Sequence, residues 1–301
     1  MQKSLHRQLR GTGVAIVTPF DENEKIDFPA LGNIIEFLIK GGVDYIVSLG
    51  TTGETPVLDK AEKKDILQFT YEKVAGRIPV VAGIGGNYTQ AVVQEMEQLP
   101  LEQATAILSV SPAYNKPSQE GIYQHYRSIA ESAPLPILLY NVPGRTGRNM
   151  TASTTLRLAE VKNIAGIKEA SGSVEQCTLI LKERPDNFLV VSGEDALTML
   201  LIAGGMDGVI SVAANAFPNS FSTMVRLSLK GELTEAKQIN DLLLPVYDLL
   251  FVENNPAGVK AFMYLEKLLY NQLRLPLVPL SSSVFTQVKE CWEMLKRKGY
   301  H

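Results

Sequence analysis

The chain has 301 residues, 45% of them hydrophobic and 20% charged, with a formal net charge of −3. That length can bury a large core, as one big domain or two smaller ones. The slightly negative balance gives no general attraction to nucleic acid or to an anionic membrane.

Cys177 and Cys291 form no CxxC and have no metal-ligand spacing, so they are expected as reduced thiols. Three scattered histidines offer no metal constellation, and no metal is expected. The N-terminal stretch MQKSLHRQLR lacks the apolar core of a signal peptide, and no run approaches a membrane span. The expected setting is cytoplasmic.

In chain order, eight short apolar runs occupy residues 13–18, 45–50, 79–85, 106–111, 136–141, 164–169, 188–193 and 208–212. Most are rich in Val, Ile and Leu on both faces, which is how parallel strands covered on both sides read. Amphipathic stretches at 29–40, 61–74, 119–132 and 153–161 lie between them and predict helices. Eight alternations predict a (β/α)8 TIM barrel over residues 1–229. A doubly wound open sheet is the alternative, but no run is followed by a full GxGxxG fingerprint. Beyond residue 217 only helical periodicity remains, predicting helices at 232–250, 256–270 and 282–297. These are assigned to a small all-helical C-terminal domain, residues 230–301. Asn255 before Pro256 reads as a helix cap with proline in the first turn.

Chemistry in such barrels is built at the C-terminal ends of the strands. The segments GTTGE (50–54), PAYNKP (112–117), YNVPGRTG (140–147) and the end of GIKE (166–169) all follow or close a strand, and so share one mouth. Lys168 sits among Ile, Gly and Ala. A buried lysine is costly unless its charge is paired or its pKa depressed, and a depressed pKa suits an amine that attacks a ketone. The plain alternative is a lysine snorkelling out of a strand end, and this segment alone leaves both open. Tyr140 is a candidate proton donor and acceptor, against an ordinary packing role. Thr51 and Thr52, in a turn with exposed N–H groups, suit a small carboxylate; alone, they read more readily as a helix N-cap. Tyr114, on a loop between Pro112 and Pro117, is a candidate for contact with a ligand or a partner chain. Arg145 could clamp a second carboxylate or be a solvated turn charge. The GIGG at 83–86 is read as tight backbone packing, since it lacks the lysine of a phosphate loop.

Taken together, GTTGE, PAYNKPSQEG, LYNVPGRTG and GIKEASG resemble the pyruvate-dependent class I aldolase superfamily. Within it the chain is similar to the dihydrodipicolinate synthase family from about Gly11 into the C-terminal helices, where NNPAGVKAF matches the family's NPxxVK segment. The resemblance implies condensation of pyruvate with L-aspartate-4-semialdehyde in lysine (diaminopimelate) biosynthesis, with no cofactor. It implies that Lys168 forms the Schiff base, that Thr51 and Thr52 hold the pyruvate carboxylate, and that Thr51 joins a proton relay with Tyr140 and Tyr114. Tyr114 would come from the neighbouring subunit of a homotetramer built as a dimer of dimers. Arg145 would bind the semialdehyde carboxylate, and Gly193 and Ile210 would line the site, Ile210 through its carbonyl. Sister aldolases such as N-acetylneuraminate lyase share the lysine and tyrosine. They tend to carry GSTGE and lack the PGRTG arginine in this setting, so Thr51 with Arg145 favours the synthase. In members inhibited by L-lysine, an asparagine, a glutamate, a tyrosine and histidines hold the effector. Here the matching positions are Asn87, Ala91, Ala113, Lys60 and Lys63. Weak or absent lysine inhibition is therefore expected, with both lysines adding positive charge.

Overall fold

Strands that are apolar on both faces need one side covered by helices and the other closed on itself, and all eight runs meet that need in the same way. The computed structural model describes residues 5–299. In it β1 (Gly11–Ala15), β2 (Tyr45–Ser48), β3 (Val80–Gly83) and β4 (Ala106–Val110) pair in parallel in sequence order. They continue through β5 (Ile137–Asn141), β6 (Ile164–Glu169), β7 (Leu189–Ser192) and β8 (Gly208–Ser211). The closing pair, Gly11 with Gly208 to Val14 with Ser211, joins the last strand to the first. Closure excludes the open-sheet alternative. Most strands are a residue or two shorter than the apolar runs, because most runs continue into the loop beyond the strand; 136–141 and 164–169 end with β5 and β6. The first is also displaced, starting at Gly11 rather than 13.

Side chains alternate between two cores, as strand geometry requires. Tyr45, Val47, Leu138, Tyr140, Leu189, Val191 and Ile210 fill the barrel interior. The intervening Ile46, Ile137, Leu139, Ile167, Val190 and Val209 face outward and pack under the helices.

The helices are α1 (Phe28–Lys40), α2 (Lys60–Val74), α3 (Thr89–Gln98), α4 (Gln119–Ser132), α5 (Ala152–Ala159), α6 (Val174–Glu183), α7 (Thr198–Ala203) and α8 (Pro218–Lys230). Asp59 and Glu62 form a reciprocal capping box at the start of α2, which satisfies two otherwise free N–H groups. The helix α8 lies against β1 and β8 and ends at Gly231, whose left-handed conformation stops it.

Three helices follow, α9 (Leu233–Phe251), α10 (Ala257–Leu265) and α11 (Ser282–Arg297), packed on one another. The second is shorter than the periodicity predicts: after Glu266 the chain turns through Lys267 at φ 59°. The cap expectation for Asn255 is corrected. The capping position is Pro256, no side chain caps the helix, and the Asn255 amide turns toward the barrel mouth instead. Among the described residues, no helix is long and apolar enough to cross a membrane.

Candidate active site

The β5–β6 register sets Tyr140 beside Lys168, both one step from outward-facing Leu139 and Ile167, so both point into the barrel. Lys168 is 5% exposed, and its Nζ lies 4.4 Å from the centre of the Tyr140 ring, within cation–π range. A lysine seeking solvent would not stop there. The neighbouring Glu169 faces outward and accepts from Asn141 Nδ2 at 3.0 Å, Gln176 Nε2 at 3.0 Å and the Ser171 N–H at 2.7 Å. It is fully engaged away from the lysine. Among the described residues no carboxylate lies within ion-pair distance of Lys168. Gly193, on the loop after β7, makes room for it: a Cβ there would come within 2.9 Å of Lys168 Cε and 2.6 Å of Ala170 Cβ.

Above the pair opens a cavity of about 460 Å3 at the C-terminal end of the barrel. Thr51, Thr52, Arg145 and Gly193 line it together with Lys168 and Tyr140. Thr51–Gly53 form one turn of 3-10 helix, pinned at both ends: Thr18 Oγ1 donates to the Gly53 carbonyl at 2.7 Å, and Thr55 Oγ1 to Gly50 at 2.9 Å. Arg145 stands exposed at the rim on the short helical turn Pro143–Thr146. The GIGG segment packs tightly, as expected, since a Cβ on Gly83 would lie 2.2 Å from the Leu49 carbonyl oxygen. It also lines the cavity, which the packing reading did not include.

Two expected residues stand apart. Tyr114 is 91% exposed, with φ 64°, and does not line the cavity of its own chain. Ile210 is fully buried in the barrel interior and is not part of the cavity wall, which Val212 reaches instead. Conversely, sequence reasoning passed over two residues that do line it, Glu194 and Asn255. Burial and the neighbouring Asp195 push the Glu194 carboxyl up, against the pull of Lys168 and Arg145. Its place just after β7 was a usable signal, by the same rule that singled out Lys168. Asn255 gave no such signal, lying 203 positions from the threonine it contacts.

The cavity extends toward Asn87, Lys63 and Glu95. Here the expectation of added positive charge is corrected for Lys63, whose ammonium pairs with Glu95 at 2.7 Å. Asn87 Oδ1 accepts from the Ala113 N–H at 2.7 Å and so ties the loop after β4 to the loop after β3. Among the described residues no cluster of three or more His, Cys, Asp or Glu is arranged to hold a metal ion.

The sequence model of the dihydrodipicolinate synthetase family matches residues 8–295. The chain is 50% identical to the 4-hydroxy-tetrahydrodipicolinate synthase of Parabacteroides distasonis over 291 residues, covering 96% of this chain and 98% of that protein. It is 48% identical to the enzyme of the same name from Phocaeicola vulgatus, over 98% and 99% of the two chains. Its fold is similar to the crystal structure of dihydrodipicolinate synthase from Thermotoga maritima, with a TM-score of 0.93 at 38% identity, covering 97% of this chain and 99% of that one.

Proposed function

That the chain belongs to the dihydrodipicolinate synthetase family is the premise from which we infer how its cavity works. The activity is that of a 4-hydroxy-tetrahydrodipicolinate synthase, a lyase of lysine biosynthesis. The observation that carries the mechanism is a lysine with no ion-pair partner among the described residues, buried against a tyrosine at the floor of the cavity. The Lys168 amine adds to the ketone of pyruvate, and loss of water leaves a protonated imine. That imine is the electron sink: removal of a proton from the adjacent methyl gives an enamine, whose carbon adds to the aldehyde of L-aspartate-4-semialdehyde. The amine of the bound semialdehyde then attacks the imine carbon, closes the ring and frees Lys168. Tyr140 moves protons at the reacting carbons, with Thr51 as the next group in the relay. Thr51 and Thr52 seat the pyruvate carboxylate.

Homotetramer assembly as a dimer of dimers is part of this reading. A tyrosine as exposed as Tyr114 is what a second copy would cover, and from there it would complete the relay of its neighbour. Residues 1–229 are the catalytic barrel and 230–301 the helical domain in the same reading.

A substrate panel tests the function. Pyruvate with L-aspartate-4-semialdehyde should turn over far faster than pyruvate with sugar-derived aldehydes; the reverse order would assign the chain to a sister aldolase activity. Arg145→Leu should raise the KM for the semialdehyde about tenfold and leave that for pyruvate nearly unchanged. The lower end of the range for a charge-assisted contact, about 1.5 kcal/mol, applies because Arg145 stands in solvent. Equal changes in both KM values would remove Arg145 from this role.

L-Lysine should inhibit weakly or not at all. Glu95 is the acid in reach of the Asn87 region, and it is already neutralised by Lys63, so a ligand ammonium finds no free counter-charge there. Titration at saturating pyruvate should leave the rate unchanged up to about 1 mM lysine. Half-inhibition well below that would show that a different set of groups binds the effector.

A further inference from the structure

We propose that Asn255, brought to the barrel mouth by the C-terminal helices, is a positioning residue that fixes the Thr52 hydroxyl as a donor toward the pyruvate carboxylate. The inference rests on the reading that Thr52 seats this carboxylate. Asn255 is 4% exposed, lines the cavity, and donates its side-chain N–H to Thr52 Oγ1 over 3.1 Å.

A threonine hydroxyl has one proton to give and two lone pairs. In a turn its usual habit is to spend that proton on a nearby backbone carbonyl, as Thr18 and Thr55 do at the two ends of this one. Among the described residues Thr52 makes no such bond. With one lone pair occupied by Asn255, its proton is left for the cavity, and a carboxylate can only accept.

The amide oxygen of Asn255 is buried without a partner. That costs stability, and packing alone gives no reason to keep an amide there. Five residues on, Lys260 pairs with Glu54 at 2.5 Å, both side chains fully buried. The segment from Asn255 to Lys260 therefore holds Thr52 at the cavity and Glu54 beneath it, and the orientation of the seat is set from outside the barrel.

The test uses the full-length enzyme and steady-state kinetics. Asn255→Asp keeps the shape, but an ionised carboxylate only accepts; it draws the Thr52 proton to itself and sets negative charge beside the substrate carboxylate. The KM for pyruvate should rise about tenfold or more, with that for the semialdehyde within about twofold of wild type. Lowering the pH to protonate the new aspartate restores a donor and should bring the pyruvate KM partly back relative to wild type. In a Thr52→Val background, where the pyruvate KM is already raised, the uncharged Asn255→Ala, which acts only by removing the donor to Thr52, should add little.

A Thr52→Val enzyme with an unchanged pyruvate KM overturns the seat, and the inference with it. A raised KM in Thr52→Val beside a wild-type pyruvate KM in Asn255→Asp keeps the seat and overturns the role of Asn255. So does an equal loss in both KM values with a lowered thermal midpoint, the mark of a purely structural residue. Should Asn255→Asp fail to fold, Asn255→Ser, which retains a donor, should keep a lower pyruvate KM than Asn255→Ala; equal values overturn the proposal.

Discussion

Lys168→Ala should lose turnover by on the order of 10³-fold or more, because among the described residues the other lysine lining the cavity, Lys63, is held by Glu95. What rate remains comes from holding the two substrates together. The parent enzyme, incubated with pyruvate and borohydride, should carry a reduced covalent adduct, located on Lys168 by peptide mass analysis. The variant should carry none. An adduct on another lysine, or no adduct on the parent, would end the Schiff-base mechanism proposed for this cavity. Activity in Lys168→Ala comparable to the parent would end it equally. The burial of Lys168 against Tyr140 is what makes the prediction specific to one of the chain's many lysines.

The largest effect on stability is expected at Lys260. Its ammonium is fully buried, pairs with Glu54, donates to the Gln272 carbonyl at 2.9 Å, and lies 4.4 Å from the centre of the Phe20 ring. Burial lowers its pKa to about 8 despite the opposing attraction of Glu54. Lys260→Met keeps the aliphatic stem and strands the carboxylate, whose remaining hydrogen bond among the described residues comes from the Arg274 N–H at 3.2 Å. An uncompensated buried charge costs about 3–5 kcal/mol, far more than the intact pair contributes over an apolar replacement. Chemical unfolding at fixed protein concentration should show this loss, and adding Glu54→Gln should recover most of it. A single variant within about 1 kcal/mol of the parent would mean that water or a neighbour relieves Glu54, and that the pair is not what docks the C-terminal helices at the mouth.

The eight strands were legible because burial on both faces leaves an apolar run with no polar alternation, and turns and amphipathic helices punctuate it. Their ends were less so: the run 79–85 continues through Ile84 and Gly85, which stay buried or half-buried in the loop after β3, so hydropathy could not show where the ladder stops at Gly83. The second C-terminal helix was overrun for a related reason, since Leu268 and Leu269 keep the apolar spacing after the backbone has already turned at Lys267.

For the site, sequence alone indicated which end of the barrel gathers the candidate groups, an amine, a phenol, paired hydroxyls and a guanidinium, and these side chains line one cavity there. Alternation along each strand fixes the side to which Lys168 and Tyr140 point. That Tyr140 stands directly across from Lys168 is a matter of register between two strands, and register is set by the packing of the closed barrel. The pairing of Lys63 with Glu95 and the contact of Asn255 with Thr52 were decided only by tertiary structure. Each joins segments whose own spacing and hydropathy carry no trace of the partner. A hydrogen bond or ion pair depends on distances of a few ångströms that exist only once the helices have docked, so a lone asparagine before a proline reads as a cap until the fold shows what its amide meets.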